Sequence, residues 1–157
     1  MKMIIAATCF FLLFTNSAPA QNIVGQKPER NVPIAVAAAF GEKFPSYEPV
    51  WFSNYQGRYN QKLVYEGRFI FDNRYSLAIY DGQGDLIAFA ATIEHNEIPA
   101  KALKYMKENF PAFPISEALL VTSRKNDITY ELGIWVDGEF IVKVFSESGD
   151  FIRSTRA

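Results

Sequence analysis

The chain has one histidine, His95, and any catalytic reading must begin with it because imidazole is the side chain that titrates near neutrality. It stands in Glu94-His95-Asn96-Glu97. A helix-borne zinc site of the H-E-x-x-H kind needs a second imidazole one turn away, and none follows. A surface position in a connector explains this histidine more simply. Serine catalysis has no frame either: there is no G-x-S-x-G elbow, and a triad would have to recruit that same His95. Gly82-Gln83-Gly84 does not open an expected helix, so no phosphate cradle is indicated. Asp81, Asp85 and Asp150 sit in Asp/Gly loops that lack the D-x-[DN]-x-[DN]-G run and closing glutamate of a calcium hand. Ordinary hairpin chemistry accounts for them. Glu66 and Glu131 could be imagined as an acid/base pair, but Arg68 beside Glu66 and Lys143 across from Glu131 make cross-strand pairing the simpler account. The sequence thus names no catalytic residue, no metal ligands and no cofactor motif, and the chain reads as a non-enzyme.

Recognition is the remaining chemistry. Trp135, Tyr80 and Phe145 are expected on one face of a sheet together with Ile70, Arg68 and Lys143. Trp and Tyr in such a place are typical anchors of an interface. The competing account is a second small core, within the chain or in a dimer. Trp51, beside Phe52, is expected in the main core.

The elements that would position these residues follow from length and patterning. With 157 residues and 49% hydrophobic content the chain can bury one core, as a single domain or two very small ones. Sixteen Lys and Arg against 17 Asp and Glu, with no basic run, give no footprint for nucleic acid. Residues 1–20 read as a signal peptide: Lys2, an apolar run from Met3 to Phe14, then Ala18-Pro19-Ala20, with cleavage after Ala20. An apolar run of about twelve residues falls short of the roughly 20 that span a bilayer, and no transmembrane segment is expected. Cys9, the only cysteine, lies inside that run, where a lipid-attachment cysteine would follow it. The expected location is periplasmic or secreted, without disulfides. Residues 21–31 (through Gly25 and Pro28) read as a flexible leader.

An internal duplication organises the rest. Val32, Val36, Phe40 and Phe44 keep helical spacing after Asn31, a plausible N-cap, and Phe44-Pro45 ends the run. Sixty-six positions on, Ile98, Ala102, Met106 and Phe110-Pro111 repeat it. The β portions match at an offset of 65: residues 65–80 lie over residues 130–145 without a gap. Asp72-Asn73 and Asp137-Gly138 fall where two-residue hairpin loops need positive φ. Earlier strands are expected over residues 50–55 and 118–123. The predicted architecture is α+β: two tandem α-β-β-β-β repeats, residues 32–97 and 98–157, forming one domain. The antiparallel sheet would carry the helices on one face and leave the other open. Alternation assigns Phe69, Phe71, Tyr75, Leu77, Ile79, Ile134, Val136, Phe140, Val142 and Val144 to the helix side. The open side would carry Glu66, Arg68, Ile70, Ala78, Tyr80, Glu131, Gly133, Trp135, Ile141, Lys143 and Phe145.

These features resemble the PepSY-like family, also described as β-lactamase-inhibitor-like: small exported bacterial proteins built from tandem helix-plus-sheet repeats. The carrying residues are Val32-Pro33-x-x-Val36 with Phe40 and Lys43-Phe44-Pro45, Trp51, Tyr80-Asp81-x-x-Gly84-x-Leu86, Ile98-Pro99, Phe110-Pro111 and Tyr130-Glu131. The second copy departs from the pattern, with Ser146 in place of Asp81 and Phe151 in place of Leu86. The resemblance implies a periplasmic or secreted module whose open sheet face meets a protein partner of the cell envelope, conceivably an enzyme it inhibits, with no catalytic residues to carry over. The competing reading, from a different class, is binding of a small ligand or an envelope polymer by the same aromatics.

Overall fold

The computed structural model describes residues 27–56 and 62–156. The expected signal peptide, its cleavage site and leader residues 21–26 lie outside the described residues. The elements follow as α1 (Ile34–Lys43), β1 (Val50–Gln56), β2 (Lys62–Phe71), β3 (Arg74–Asp81) and β4 (Leu86–Thr92). A 3-10 turn (His95–Glu97) then leads to α2 (Ala100–Asn109), β5 (Glu117–Ser123), β6 (Ile128–Val136), β7 (Glu139–Ser146) and β8 (Phe151–Arg156). All eight strands form one open antiparallel sheet in sequence order.

The helix stops act as the sequence predicts. Phe44 N–H donates to the Phe40 carbonyl at 2.8 Å and Phe110 N–H to that of Met106 at 2.8 Å, after which each following proline blocks continuation. The start differs: Pro33, not Asn31, occupies the N-cap and no side chain caps the helix. Asn31 instead donates its N–H to Glu29 Oε1 at 2.8 Å, and Glu29 also binds Ser53 on β1. Both two-residue loops carry the positive φ they were expected to need: Asp72 +51°, Asn73 +60°, Asp137 +51° and Gly138 +84°.

The two longer hairpins are closed by short polar side chains. Asp81 Oδ1 accepts from the N–H groups of Gln83 (3.0 Å) and Asp85 (2.9 Å). In the second half Ser146 Oγ accepts from Asp150 N–H at 3.1 Å. Serine therefore does the work of the aspartate it replaces, which accounts for that departure in the sequence. Asp85 pairs with Arg124 at 3.2 Å and Asp150 with Lys101, so these carboxylates are engaged in holding loops.

Two apolar clusters pin the helices to one face. Val36, Phe40 and Phe44 of α1 pack on Tyr65, Phe69, Ala78 and Tyr80. Ala102 and Met106 of α2, with Ile98, pack on Leu132, Ile134 and Phe145. Trp51 lies against the first cluster, its ring 5.5 Å from Phe40, in keeping with a core position.

Register corrects the predicted faces of two strands. Each two-residue loop pairs the residue before it with the residue after it, so Phe69 stands opposite Ser76 and Ile134 opposite Ile141. Odd positions of β2 therefore share a face with even positions of β3, and β6 and β7 are related in the same way. Consequently Ala78 and Tyr80 on β3, and Ile141, Lys143 and Phe145 on β7, face the helices. Tyr75, Leu77, Ile79, Phe140, Val142 and Val144 lie on the open side. The assignments for β2 and β6 hold.

Candidate functional site: the open sheet face

Of the six residues singled out for recognition, the structure brings Arg68, Ile70 and Trp135 to the open face and sends Tyr80, Phe145 and Lys143 to the opposite one. Tyr80 is 1% exposed and Phe145 fully buried, each in its half's core. Lys143 runs its stem along the core, its ammonium 4.2 Å from the Phe110 ring centroid and donating to Ser154 Oγ at 3.0 Å. Burial holds its pKa below the usual lysine value. The expected Lys143–Glu131 pair is thereby excluded: Val144, not Lys143, shares Glu131's face and stands opposite it.

Tyr80 exacts a cost at its new address. Its hydroxyl has no hydrogen-bond partner among the described residues, and burial pushes its pKa up to about 12. The position 65 residues on is Phe145, which has no hydroxyl to satisfy. Tyr80→Phe is therefore expected to raise the unfolding free energy by about 1 kcal/mol, measured by urea denaturation; a loss of stability would reveal a partner for the hydroxyl.

At the open face, Arg68 is 7% exposed and held between Glu66 Oε2, at 2.6 Å, and the Phe52 ring, 4.1 Å from its centroid. Asn54 Nδ2 donates to the other Glu66 oxygen at 2.9 Å. The Arg68–Glu66 pairing read from the sequence is thus formed, on one strand. Arg68 Nε is buried without an acceptor among the described residues. Beside it a recess of about 440 Å³ is lined by Glu48, Val50, Phe52, Arg68, Phe69, Ile70 and Tyr75. Val50 and Ile70 in its wall are 51% and 58% exposed. In the second half Trp135 is 41% exposed, with Phe140, its register partner, at 5.1 Å in an edge-on contact.

Glu117 escaped the sequence reading. It lies one residue ahead of the strand expected from Ala118, opposite Gly133, and so stands diagonally to Glu131 on the same face. Burial, then the Glu131 charge, pushes its carboxyl up to about 7, against a smaller opposing pull from Arg68. Glu131 is also raised by burial, with Arg153 acting the other way. A folded-state pKa above the unfolded one means that the native state binds the extra proton, so this stability is present below about pH 4.5 and lost as pH rises through about 7. Glu117→Gln should accordingly leave stability near its wild-type value at pH 4 and exceed it at pH 8. The gain is on the order of 1–2 kcal/mol, allowing for partial solvent screening. Denaturant titrations at both pH values provide the check, and equal stabilities at pH 8 would refute the buried-carboxylate account.

His95 is exposed in its turn, where Glu97 accepts from Glu94 N–H at 2.8 Å and pairs with Arg74 at 2.9 Å. The acidic neighbours of the histidine are thus occupied in shaping the connector. A groove of about 630 Å³ on the helix side, lined in part by Lys43, Phe44, Phe89 and Arg124, has one of its cations already paired with Asp85.

No family model matches the chain, and no curated protein matches it. Solved structures do. A DUF2874 family protein from Bacteroides uniformis superposes with a TM-score of 0.65 at 15% identity, over 79% of this chain and 88% of that one. A protein from Bacteroides eggerthii described as periplasmic gives 0.66 at 11% identity, over 80% and 89%. A BLIP-like protein from Bacteroides fragilis gives 0.56 at 13% identity, over 87% and 91%. At these identities the likeness is one of fold alone: among the described residues this chain is α+β, with an open eight-stranded antiparallel sheet and two α-helices, and it superposes on BLIP-like and periplasmic Bacteroides proteins.

Proposed function

We propose that the chain is an exported, non-enzymatic binding module of the PepSY-like, β-lactamase-inhibitor-like kind, built from two tandem repeats, that engages a protein partner through its open sheet face. One observation carries this reading. The face not covered by helices presents Trp135 and Ile70 to solvent at opposite halves of the sheet, with half-buried carboxylates between them. Large exposed apolar side chains around polar groups that lack partners are the makings of an interface rather than of a reaction centre. The periplasmic description of a structural neighbour supports export. Among the described residues no helix is long and apolar enough to cross a membrane.

The test is capture from a cell-envelope extract by the immobilised protein and by Trp135→Ala, both shown to be folded by their melting curves. Truncating an anchor of this kind costs about 2 kcal/mol, roughly thirtyfold in affinity. A protein held by the wild type and lost from the variant is the expected result, and its enzymatic activity with and without the module then decides inhibition. Identical captures by both would overturn the reading.

A further inference from the structure

We infer that the partner docks with an apolar side chain followed by a basic one, the first seated in the recess beside Ile70 and the second reaching Glu117 and Glu131. The inference rests on the open face being the binding surface and adds the chemistry of what binds there. The recess of about 440 Å³ is walled by Val50, Phe52, Ile70 and Tyr75, so seating an apolar group removes half-exposed aliphatic surface from water on both sides.

An anion is a poor occupant. The one cation in the wall, Arg68, is already answered by Glu66 at 2.6 Å and by the Phe52 ring, and Glu48 lies in the lining. Farther along the same face stand Glu117 on β5 and, diagonal to it, Glu131 on β6, and no side-chain hydrogen bond or ion pair is made by either among the described residues. The Glu131 charge adds to the burden on Glu117, and the only opposing pulls are the smaller ones of Arg68 on Glu117 and of Arg153 on Glu131. Half-buried carboxylates without a counter-charge are costly, and an arriving ammonium or guanidinium relieves both at once. Glu117 and Tyr75 also sense each other electrostatically, so Glu117 is the carboxylate on the recess side and Glu131 lies beyond it.

The other half of the chain shows that the recess is not imposed by the architecture. The position 65 residues after Arg68 is Gly133, where a Cβ would lie 2.2 Å from the Phe140 ring, and Phe140 is the residue 65 positions after Tyr75. There the Phe140 ring lies over the backbone at the position where the first half carries the Arg68 side chain, so the two halves build this part of the face differently. The socket therefore belongs to one end of the face, and Trp135 offers the second contact at the other.

Random heptapeptides displayed on phage are selected against the immobilised full chain, and the enriched sequences are synthesised and measured by fluorescence anisotropy. The expected outcome is enrichment of Leu, Ile or Phe followed by Lys or Arg. Affinity should fall at least tenfold both with Ile70→Ser and with the double variant Glu117→Gln, Glu131→Gln, whose folding is verified by melting. A peptide with norleucine in place of the basic residue should bind the wild type and the double variant alike. Enriched peptides without a basic residue overturn the inference. If those peptides still lose binding with Ile70→Ser and Trp135→Ala, the open-face reading survives; if they are indifferent to both, it falls too. Failure to enrich any sequence also overturns the inference.

Discussion

Phe40→Ala is expected to lower the unfolding free energy by about 3–5 kcal/mol, a large part of the 5–15 kcal/mol that holds a typical domain. Phe40 is 3% exposed and lies where α1, β1, β2 and β3 converge. Its ring centroid is 4.9 Å from that of Phe69, 5.0 Å from Phe44, 5.5 Å from Trp51 and 6.5 Å from Tyr80, mostly edge-on. Truncation removes the transfer energy of the ring and leaves a cavity whose lining is itself aromatic and rigid, so collapse is limited. The loss should appear in the midpoint of urea unfolding with the slope unchanged. The equivalent change in the second half, Met106→Ala, should cost less, about 2–4 kcal/mol. That cluster has aliphatic neighbours, Leu132 and Ile134, which can close around the gap. A Phe40→Ala loss below about 1.5 kcal/mol would mean the aromatic cluster does not anchor α1.

The same cluster shows what could be read before the fold was known. Helical spacing and the Phe-Pro stops locate both helices, because proline's constraint on its predecessor is local. The loops at Asp72-Asn73 and Asp137-Gly138 are equally legible, since few residues accept positive φ. The strands expected from residues 50 and 118 begin within one residue of where they lie. Face assignment went astray on β3 and β7 for a physical reason. Tyr75, Leu77 and Ile79 are apolar although they look away from the helices, while the helix side of β3 carries Ser76 and Ala78 beneath Tyr80. Alternation measures contrast, and a sheet whose open face is also largely apolar provides little of it. The loop length held the missing information: a two-residue connection fixes the register and so reverses parity across the turn.

The candidate site was half legible for the same cause. Ile70, Arg68 and Trp135 sit on strands whose parity was read correctly; Tyr80, Phe145 and Lys143 sit on the two that were inverted. Glu117 had no local signal at all, because its burial comes from standing opposite Gly133 and diagonal to Glu131, contacts made between strands and invisible along one.

Among the three glycines with positive φ, Gly84→Ala should be the costliest replacement, at about 2–4 kcal/mol, and it tests how the hairpins meet the helices. Gly84 has a φ of +88°, so any L side chain there bears about 1–2 kcal/mol of backbone strain. A Cβ would also lie 2.6 Å from the Ala35 carbonyl oxygen in the first turn of α1. Backbone on both sides must move, and the β3–β4 turn held by Asp81 resists that movement. Gly149, with φ +82°, meets the second helix more loosely, 2.9 Å from Pro99 Cβ and 3.1 Å from Ala102 N. Gly138 has a φ of +84° with nothing within 4 Å, so alanine there incurs the strain alone. The three share one backbone conformation and differ only in what a methyl group would strike. Stability losses should therefore fall in the order Gly84, Gly149, Gly138, as read from melting temperatures of the single variants. Equal losses at Gly84 and Gly138 would show that the hairpin tip does not press on α1, and the close docking of helix onto sheet would have to be abandoned.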